Sequence, residues 1–463
     1  MKRVVVRADS SSTIGTGHIM RDLVLAKRDF CDSEVIFAVR NLPGNINHKI
    51  DEAGYEKILL HSDGIEEFIE TIRPLNPETV VFDHYGIGHR DEQRVKEATG
   101  ATIFVLDDTY EKHHCDILLN HNVYADPSRY KELVPATCEL RCGSKFTLLR
   151  EEFIEAKKKK TCRATHPLRH PKLKVFIAMG GADTSNLNIP ILDAVKEQTD
   201  IHAHIVTTRA NKNLEELKSY ARAHEHVTLH IETSEIATLM SESDFAVVSP
   251  SVTVNEVIFM QLPFIAIKTA DNQNEMCSYL KERGEALLEK FDEEGLKIEL
   301  KNMVDFLQTE LVNFTQLTKK QKLDLLEWRN NPKVRQWMLN KEPIAPADHL
   351  AFIDSLQKRE DRVYFLVNLD ERPIGVIDFT QIDKSERSAH IGLYANPSTY
   401  GMGRLLMQKI LEFGYGFLGL ETLFAEVYKK NEKAINLYKR FGFKPTETIK
   451  ADNRGLLTME RKK

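Results

Sequence analysis

The chain has 463 residues, 42% hydrophobic and 29% charged, with 64 Lys and Arg against 69 Asp and Glu for a net charge of -5. That length calls for about three domains, and the ordinary polar balance argues against wholesale disorder. The charge excludes a global basic field for nucleic acid, and no apolar run approaches the roughly 18 residues of a membrane-spanning helix. The N-terminal MKRVVVRA carries only three consecutive valines, which reads as a buried strand and not as a signal peptide. Six scattered cysteines without a CxxC are expected to be reduced thiols of a cytoplasmic protein. Cys138 and Cys142 lack a second Cys or His pair at ligand spacing, and no HExxH is present, so no metal is expected.

In chain order, residues 3–7 predict a strand, 18–28 a helix, and 34–39, 79–83 and 102–106 further strands. Short apolar runs alternating with helices predict a parallel sheet covered on both faces, with ligands beyond the carboxyl ends of its strands. The basic stretch 157–173 reads as an interdomain linker. The alternation restarts with strands at 174–179, 203–207, 227–231, 244–249 and 263–268 and a helix at 252–260. Two such halves, 1–156 and 174–285, predict a cleft suited to a nucleotide-sugar. Residues 286–312 read as a closing helix and a second linker. A different pattern fills 313–463: a helix at 320–330, a hairpin of 364–368 and 373–380, a strand at 389–395, a helix at 402–418, a strand at 422–427 and a helix at 433–441.

The first chemical signal is RADSSSTIGTGH at 7–18. Gly15-x-Gly17 lets the backbone approach a ligand where a helix start offers unpaired N–H groups. The third glycine of a dinucleotide fingerprint is missing. His18 opens the helix at the positive end of its dipole, which disfavours imidazolium. It either packs the helix start or, as a neutral ring, takes a proton from water.

That stretch, continued by Arg21-Asp22-Leu23-Val24-Leu25-Ala26, is followed in order by Asp83-His84-Tyr85-Gly86, Leu106-Asp107-Asp108, His113 to Asn120, and Cys138 to Gly143. Leu149 to Phe153, Met179-Gly180-Gly181 with Asp183, and Val254-Asn255-Glu256 complete the set. As a set these residues resemble the UDP-2,4-diacetamido-2,4,6-trideoxy-β-L-altropyranose hydrolases of pseudaminic acid biosynthesis, over roughly 1–285. The resemblance implies two Rossmann-like, glycosyltransferase-B-like domains and inverting attack of water on the anomeric carbon, with UDP leaving and no metal. It assigns the general base to His18, beside the Gly15 and Gly17 loop. Gly180, Gly181, Ser249 and Ser251 would offer donors to the departing pyrophosphate. Glu256 matches the acidic residue that holds ribose hydroxyls, with Asn255 beside it. Tyr85 either positions sugar or water or packs as a loop aromatic. Asp107 and Asp108 read as structural, and Asp9 as a turn former or supporting residue.

The second signal is PSTYGMGRLLM at 397–407, between a predicted strand and helix. Successive amides around Gly401-x-Gly403 form an anion cradle or a plain turn. With Asn431-x-x-Ala434-x-x-Leu437-Tyr438-x-x-x-Gly442-Phe443 downstream, the segment resembles the GNAT N-acetyltransferases. The resemblance implies a GNAT α/β domain. Acetyl-CoA pyrophosphate would lie on Gly401, Met402, Gly403 and Arg404, although Ser398 stands where Gln or Arg is usual. Pantetheine would lie between splayed strands at 389–395 and 422–427, with Tyr394 and Asn431 at the cofactor. Tyr438 would protonate the leaving thiolate or, alternatively, pack in the core. Trp328-Arg329-Asn330 with Pro332, Tyr364 to Val367, Ile374 to Phe379 and Gly392 to Ala395 narrow the resemblance to PseH-type acetyltransferases acting on a UDP-4-amino sugar. Trp328 and Arg329 suit a uridine nucleotide by stacking and phosphate pairing. The amine base is left between Glu426 and water. The expected whole is a bifunctional enzyme of UDP-sugar substrates and acetyl-CoA. The competing readings are a UDP-sugar glycosyltransferase fused to an unrelated acetyltransferase, and a nucleotide-sugar-binding scaffold.

Overall fold

The computed structural model describes residues 2–11, 13–163, 172–198, 201–446 and 455–463. The chain divides into two compact units: Met1–Leu192, Asp200–Leu262 and Thr269–Met276 in one, and Asp193–Thr199, Pro263–Lys268 and Cys277–Lys463 in the other.

The first unit opens with a parallel sheet of β1 (Lys2–Ala8), β2 (Ser33–Arg40), β3 (Glu56–Leu60), β4 (Thr79–Asp83), β5 (Thr102–Leu106), β6 (Ile117–Asn120) and β7 (Glu139–Cys142). Its order is β3-β2-β1-β4-β5-β6-β7. The consecutive valines of β1 are explained by burial on both faces. Val4 and Val6 join one core cluster with Ile19, Leu25 and Phe37, whereas Val5 joins the other with Phe68, Phe82 and Val95. A second parallel set follows: β8 (Leu173–Ala178), β9 (Ile201–Thr207), β10 (Val227–Ile231) and β11 (Phe245–Val248), ordered β10-β9-β8-β11. In each set the strand order reverses beside the first strand, between β1 and β4 and between β8 and β11. Such switch points leave a crevice at the carboxyl ends of the strands. Of the expected linker 157–173, the start is the end of the Glu151–Arg163 helix. Residues 164–171 lie outside the described residues.

In the second unit β12 (Phe264–Ile267) and β13 (Ala286–Leu288) pair in parallel. The Glu293–Leu307 helix starts at Asp292, whose carboxylate accepts the Gly295 N–H. It packs on both strands and on the Gly403–Leu411 helix. The stretch expected to be a closing helix and linker also holds β14 (Thr309–Asn313), the first strand of a third sheet. That sheet continues with β15 (Val363–Leu369), β16 (Arg372–Asp383), β17 (Ser388–Ala395), β18 (Thr422–Tyr428), β19 (Lys444–Pro445) and β20 (Leu456–Lys462). Its order is β14-β15-β16-β17-β18-β20-β19, and all pairs but one are antiparallel. The exception is β17 with β18, joined through the Gly403–Leu411 helix; their pairing ends at Ile391 and Ala425, and the strands part beyond it. Among the described residues no helix is long and apolar enough to cross a membrane.

Candidate active sites

The switch point between β1 and β4 carries a buried cluster of charged side chains. β1 leads into a tight loop in which Ser11 and Gly15 exchange both backbone hydrogen bonds, at 3.2 and 2.9 Å, and Gly15 takes φ +88°, a conformation that favours glycine. Gly17 then begins the Gly17–Asp29 helix, and His18 is 7% exposed. β4 ends in Asp83, which the loop closure brings to His18: Nδ1 lies 2.7 Å from Asp83 Oδ1. Arg21, one turn after His18, donates from Nε to Asp83 Oδ2 at 2.6 Å and from Nη1 to Asp108 Oδ2 at 3.0 Å. Burial alone would raise the Asp83 carboxyl, but Arg21 and His18 hold it well below the usual carboxylate range. An ionised Asp83 accepts the Nδ1–H and so turns Nε2 away from the carboxylate. Asp22, fully buried near Asp83, has its carboxyl pushed up by burial and by the charge of Asp83.

Tyr85, just beyond β4, stands edge-on to His18 with ring centroids 5.0 Å apart and donates to Asp108 Oδ1 at 3.0 Å. Asp107 and Asp108 therefore differ. Asp107 accepts from Thr109 N, Tyr110 N and the Tyr130 hydroxyl at 3.0, 2.9 and 2.7 Å, and so builds its own loop. Asp108, expected to be structural, holds Arg21 and Tyr85 at the site. Asp9 is buried among Arg7, Arg40 and His84, a supporting network behind β1.

The second switch point brings together the loops after β8 and β11, since Ser249 N donates to Ala178 O at 3.1 Å. Gly180 takes φ +81°, a conformation that favours glycine, and a Cβ on Gly181 would stand 2.8 Å from Thr208 Cγ2, so a larger residue there requires Thr208 to shift. Ser251 is the N-cap of the Val252–Phe259 helix. Burial pushes the Glu256 carboxyl up to about 7, against the pull of Arg150, whose Nη2 is 3.3 Å away. Asn255 does not stand free beside it. Its Oδ1 accepts Val123 N at 3.1 Å and its Nδ2 donates to Asn122 Oδ1 at 2.9 Å. Asn122 in turn donates to the Tyr124 hydroxyl, which donates to the Asp108 carbonyl. Asn255 thus ties its helix to the loop behind Asp108, and its amide is spent within the protein.

In the second unit a cavity of about 1060 Å³ lies over the parting of β17 and β18. Gly401, at φ +79°, and Gly403 line it at the start of the Gly403–Leu411 helix, with Met402 as N-cap. Arg404 lines it too, but its guanidinium is paired with Glu299, Nη1 to Oε1 at 2.9 Å, so the backbone there offers amides and not a free cation. Asn431 lines the cavity and caps the Glu432–Arg440 helix through Ala434 N at 3.2 Å. Tyr438, 6% exposed, is kept protonated by burial and by Asp378. Tyr394 lines the same wall. Arg329 lines it with Nη2 donating to Asn340 O at 2.8 Å. Trp328, expected to stack on uridine, instead packs against the cluster of Phe314, Leu325 and Ile353. The reason is its spacing of three from Leu325, which puts both on one helix face. The indole that lines the cavity is Trp337. Glu426 lines the cavity from β18 but is exposed.

Among known proteins, the Acetyltransferase (GNAT) domain family matches residues 312–444. A Campylobacter jejuni UDP-2,4-diacetamido-2,4,6-trideoxy-beta-L-altropyranose hydrolase is 41% identical over 282 residues, 61% of this chain and 97% of its own. The acetyltransferase PseH of Campylobacter jejuni is 40% identical over 133 residues, 29% of this chain and 83% of its own. An uncharacterized protein of Methanocaldococcus jannaschii is 25% identical over 96% of this chain and 97% of its own length.

Proposed function

We propose that this chain, which belongs to the UDP-2,4-diacetamido-2,4,6-trideoxy-β-L-altropyranose hydrolases over its first 280 or so residues and to the PseH-type GNAT acetyltransferases over its last part, carries out two consecutive steps on one UDP-sugar. It acetylates the 4-amino group of UDP-4-amino-4,6-dideoxy-N-acetyl-β-L-altrosamine with acetyl-CoA. It then hydrolyses the product, with inversion, to UDP and 2,4-diacetamido-2,4,6-trideoxy-L-altrose. The observation that carries the order is chemical: the hydrolase relative is named for a diacetamido sugar, and an acetamido group is what an N-acetyltransferase installs. A cytoplasmic setting goes with the use of a UDP-sugar and acetyl-CoA together.

In the hydrolytic step His18 Nε2 takes a proton from water while Asp83 holds Nδ1–H. The water oxygen closes a bond to C1 as the C1–O bond to the diphosphate opens. Amides of the Gly180-Gly181 loop and of the Ser251 helix start receive the departing charge. Glu256 accepts from the ribose hydroxyls when ionised. Tyr85 confines the sugar side of the base.

In the acetyl transfer step, acetyl-CoA supplies the thioester carbonyl that the amine attacks. The residues present fit it. The parted strands leave backbone groups of 392–395 unpaired with β18, and the Gly401 turn offers its amides without side chains in front. The Tyr438 phenol, which stays protonated, donates to the leaving sulfur. The decisive experiment incubates the full chain with acetyl-CoA and the UDP-4-amino sugar and follows thiol and UDP together. Thiol release followed by stoichiometric UDP release is expected. UDP release that requires an added sugar acceptor would refute hydrolysis, and thiol release without the amine substrate would refute the acetylation.

A further inference from the structure

The acetyl transfer step proposed above needs a group to remove the amine proton, and the sequence left that role between Glu426 and water. We propose that Asp378 is this base, a further catalytic residue of the acetyltransferase half. The inference rests on the acetylation reading and adds the group that reading lacks.

Position is the first argument. Asp378 lies on β16 directly between Tyr364 on β15 and Gly392 on β17, so the three residues form one row on one face of the sheet. On β16 Ile377 and Phe379 of the opposite face are buried, and so is Val376 two residues earlier on the same face, whereas Asp378 lines the cavity. Gly392 is the first residue past Ile391, where β17 leaves β18. A Cβ built on Gly392 would overlap the Asp378 carboxylate. The carboxylate therefore leans toward Gly392 at the point where the strands begin to part, where a bound thioester would present its acetyl group, and Tyr438 lines the same cavity near enough to feel its charge.

Its surroundings are the second argument. Among the described residues no donor stands within hydrogen-bond distance of the Asp378 carboxylate, unlike the tied carboxylates of Asp83 or Asp107. The groups that face it are Arg362 and the phenols of Tyr364, Tyr394 and Tyr438. Burial pushes its carboxyl up to about 7, against the modest pull of Arg362. A carboxylate with that proton affinity is matched to an amine at neutral pH, which an ordinary carboxylate is not. Glu426, exposed to solvent, has no such setting.

The step balances as follows. The amine lone pair closes a C–N bond to the acetyl carbon, and the C–S bond opens. The sulfur takes the Tyr438 proton, and the nitrogen passes its proton to Asp378. Return of that proton from Asp378 to the Tyr438 phenolate restores both groups, so the cycle consumes no acid or base.

The test is Asp378→Asn in the full chain, assayed for thiol release with acetyl-CoA and the UDP-4-amino sugar between pH 5.5 and 9. Thiol turnover is expected to fall about 10²-fold with the KM for acetyl-CoA within about threefold. The wild-type rate should rise with pH and level off above about 7, and that rise should flatten in Asp378→Asn while Asp378→Glu restores part of both. The KM for acetyl-CoA, which needs the cavity of the second unit intact, reports that the variant domain is folded, and UDP release from the pre-acetylated sugar reports the same for the first unit. Thiol turnover in Asp378→Asn within threefold of wild type, with the pH rise intact, would overturn the assignment. A wild type that releases no thiol with this sugar would instead overturn the acetylation reading, and this proposal with it.

Discussion

The two sites hold their reactive groups by opposite means. Around His18, charge is tied to charge: Asp83 is fixed by Arg21, Arg21 by Asp108, and Asp108 by Tyr85. Such a network sets the histidine tautomer and orientation, and keeps Asp83 ionised although it is fully buried. Around Tyr438, desolvation does the tuning. Asp378 has open space and three phenols about it, and burial alone moves its carboxyl toward neutrality. The difference follows from the chemistry. In the proposed roles, a base for water beside a good leaving group needs a fixed direction, whereas an acid and a base acting on an amine and a thiolate need shifted proton affinities.

The sharpest way to break the comparison is to remove one reactive group from each side. His18→Ala is expected to lower UDP release from the diacetamido sugar by about 10² to 10⁴-fold and leave thiol release unchanged; Tyr438→Phe should lower thiol release by about 10 to 10²-fold and leave UDP release unchanged. Parallel assays of both products check this, and loss of both activities in either variant would contradict it. A milder test uses space. Gly392→Ala puts a methyl group against the Asp378 carboxylate. It should lower thiol turnover and cost about 1–3 kcal/mol of stability in denaturant unfolding, again without effect on UDP release.

Glu256 sharpens the comparison, because it is the hydrolase-side group tuned by burial. With a carboxyl at about 7, it is neutral below that pH and an acceptor-only carboxylate above it. The KM for the UDP-sugar should therefore fall several-fold as pH rises through about 7, and Glu256→Gln should flatten the profile. The smallest expected effect concerns stability away from both sites. Burial would lower the buried His113, but the Asp107 and Glu92 carboxylates outweigh it and raise the imidazole to about 9, with Glu92 Oε1 2.6 Å from Nδ1 and Asp107 Oδ1 3.8 Å from Nε2. A group raised above its unfolded value of about 6.5 contributes stability below that pH and loses it as pH rises through about 9. The unfolding free energy measured in denaturant from pH 6 to 10 should decline by on the order of 1 kcal/mol across that window, and less so in His113→Gln.

The strand ends and turns of both candidate sites were legible in the linear text because these are local signals. An apolar run followed by glycine and a helix start marks where a ligand can approach backbone amides, and that placed His18, Gly180, Gly181, Gly401 and Gly403. The same pattern gave two parallel sheets and a third, different domain, although β14 starts earlier than the sequence break at 313 implied. What escaped was pairing at a distance. Asp83 is 65 residues from His18, and only its terminal place on β4 hinted at the bond. Asn255 was read as a ligand because it neighbours Glu256, yet the fold spends its amide on Asn122 and Val123. Trp328 carried the right chemistry on the wrong helix face, and Trp337 lines the cavity in its place. The amino-acid sequence by itself thus pointed to the alternation of strands and helices, to the glycine turns and to candidate side chains, because these depend on local geometry and residue type. Only the tertiary structure decided which carboxylates are ionised and which are held near neutrality, because that depends on burial and on charges brought together from distant strands.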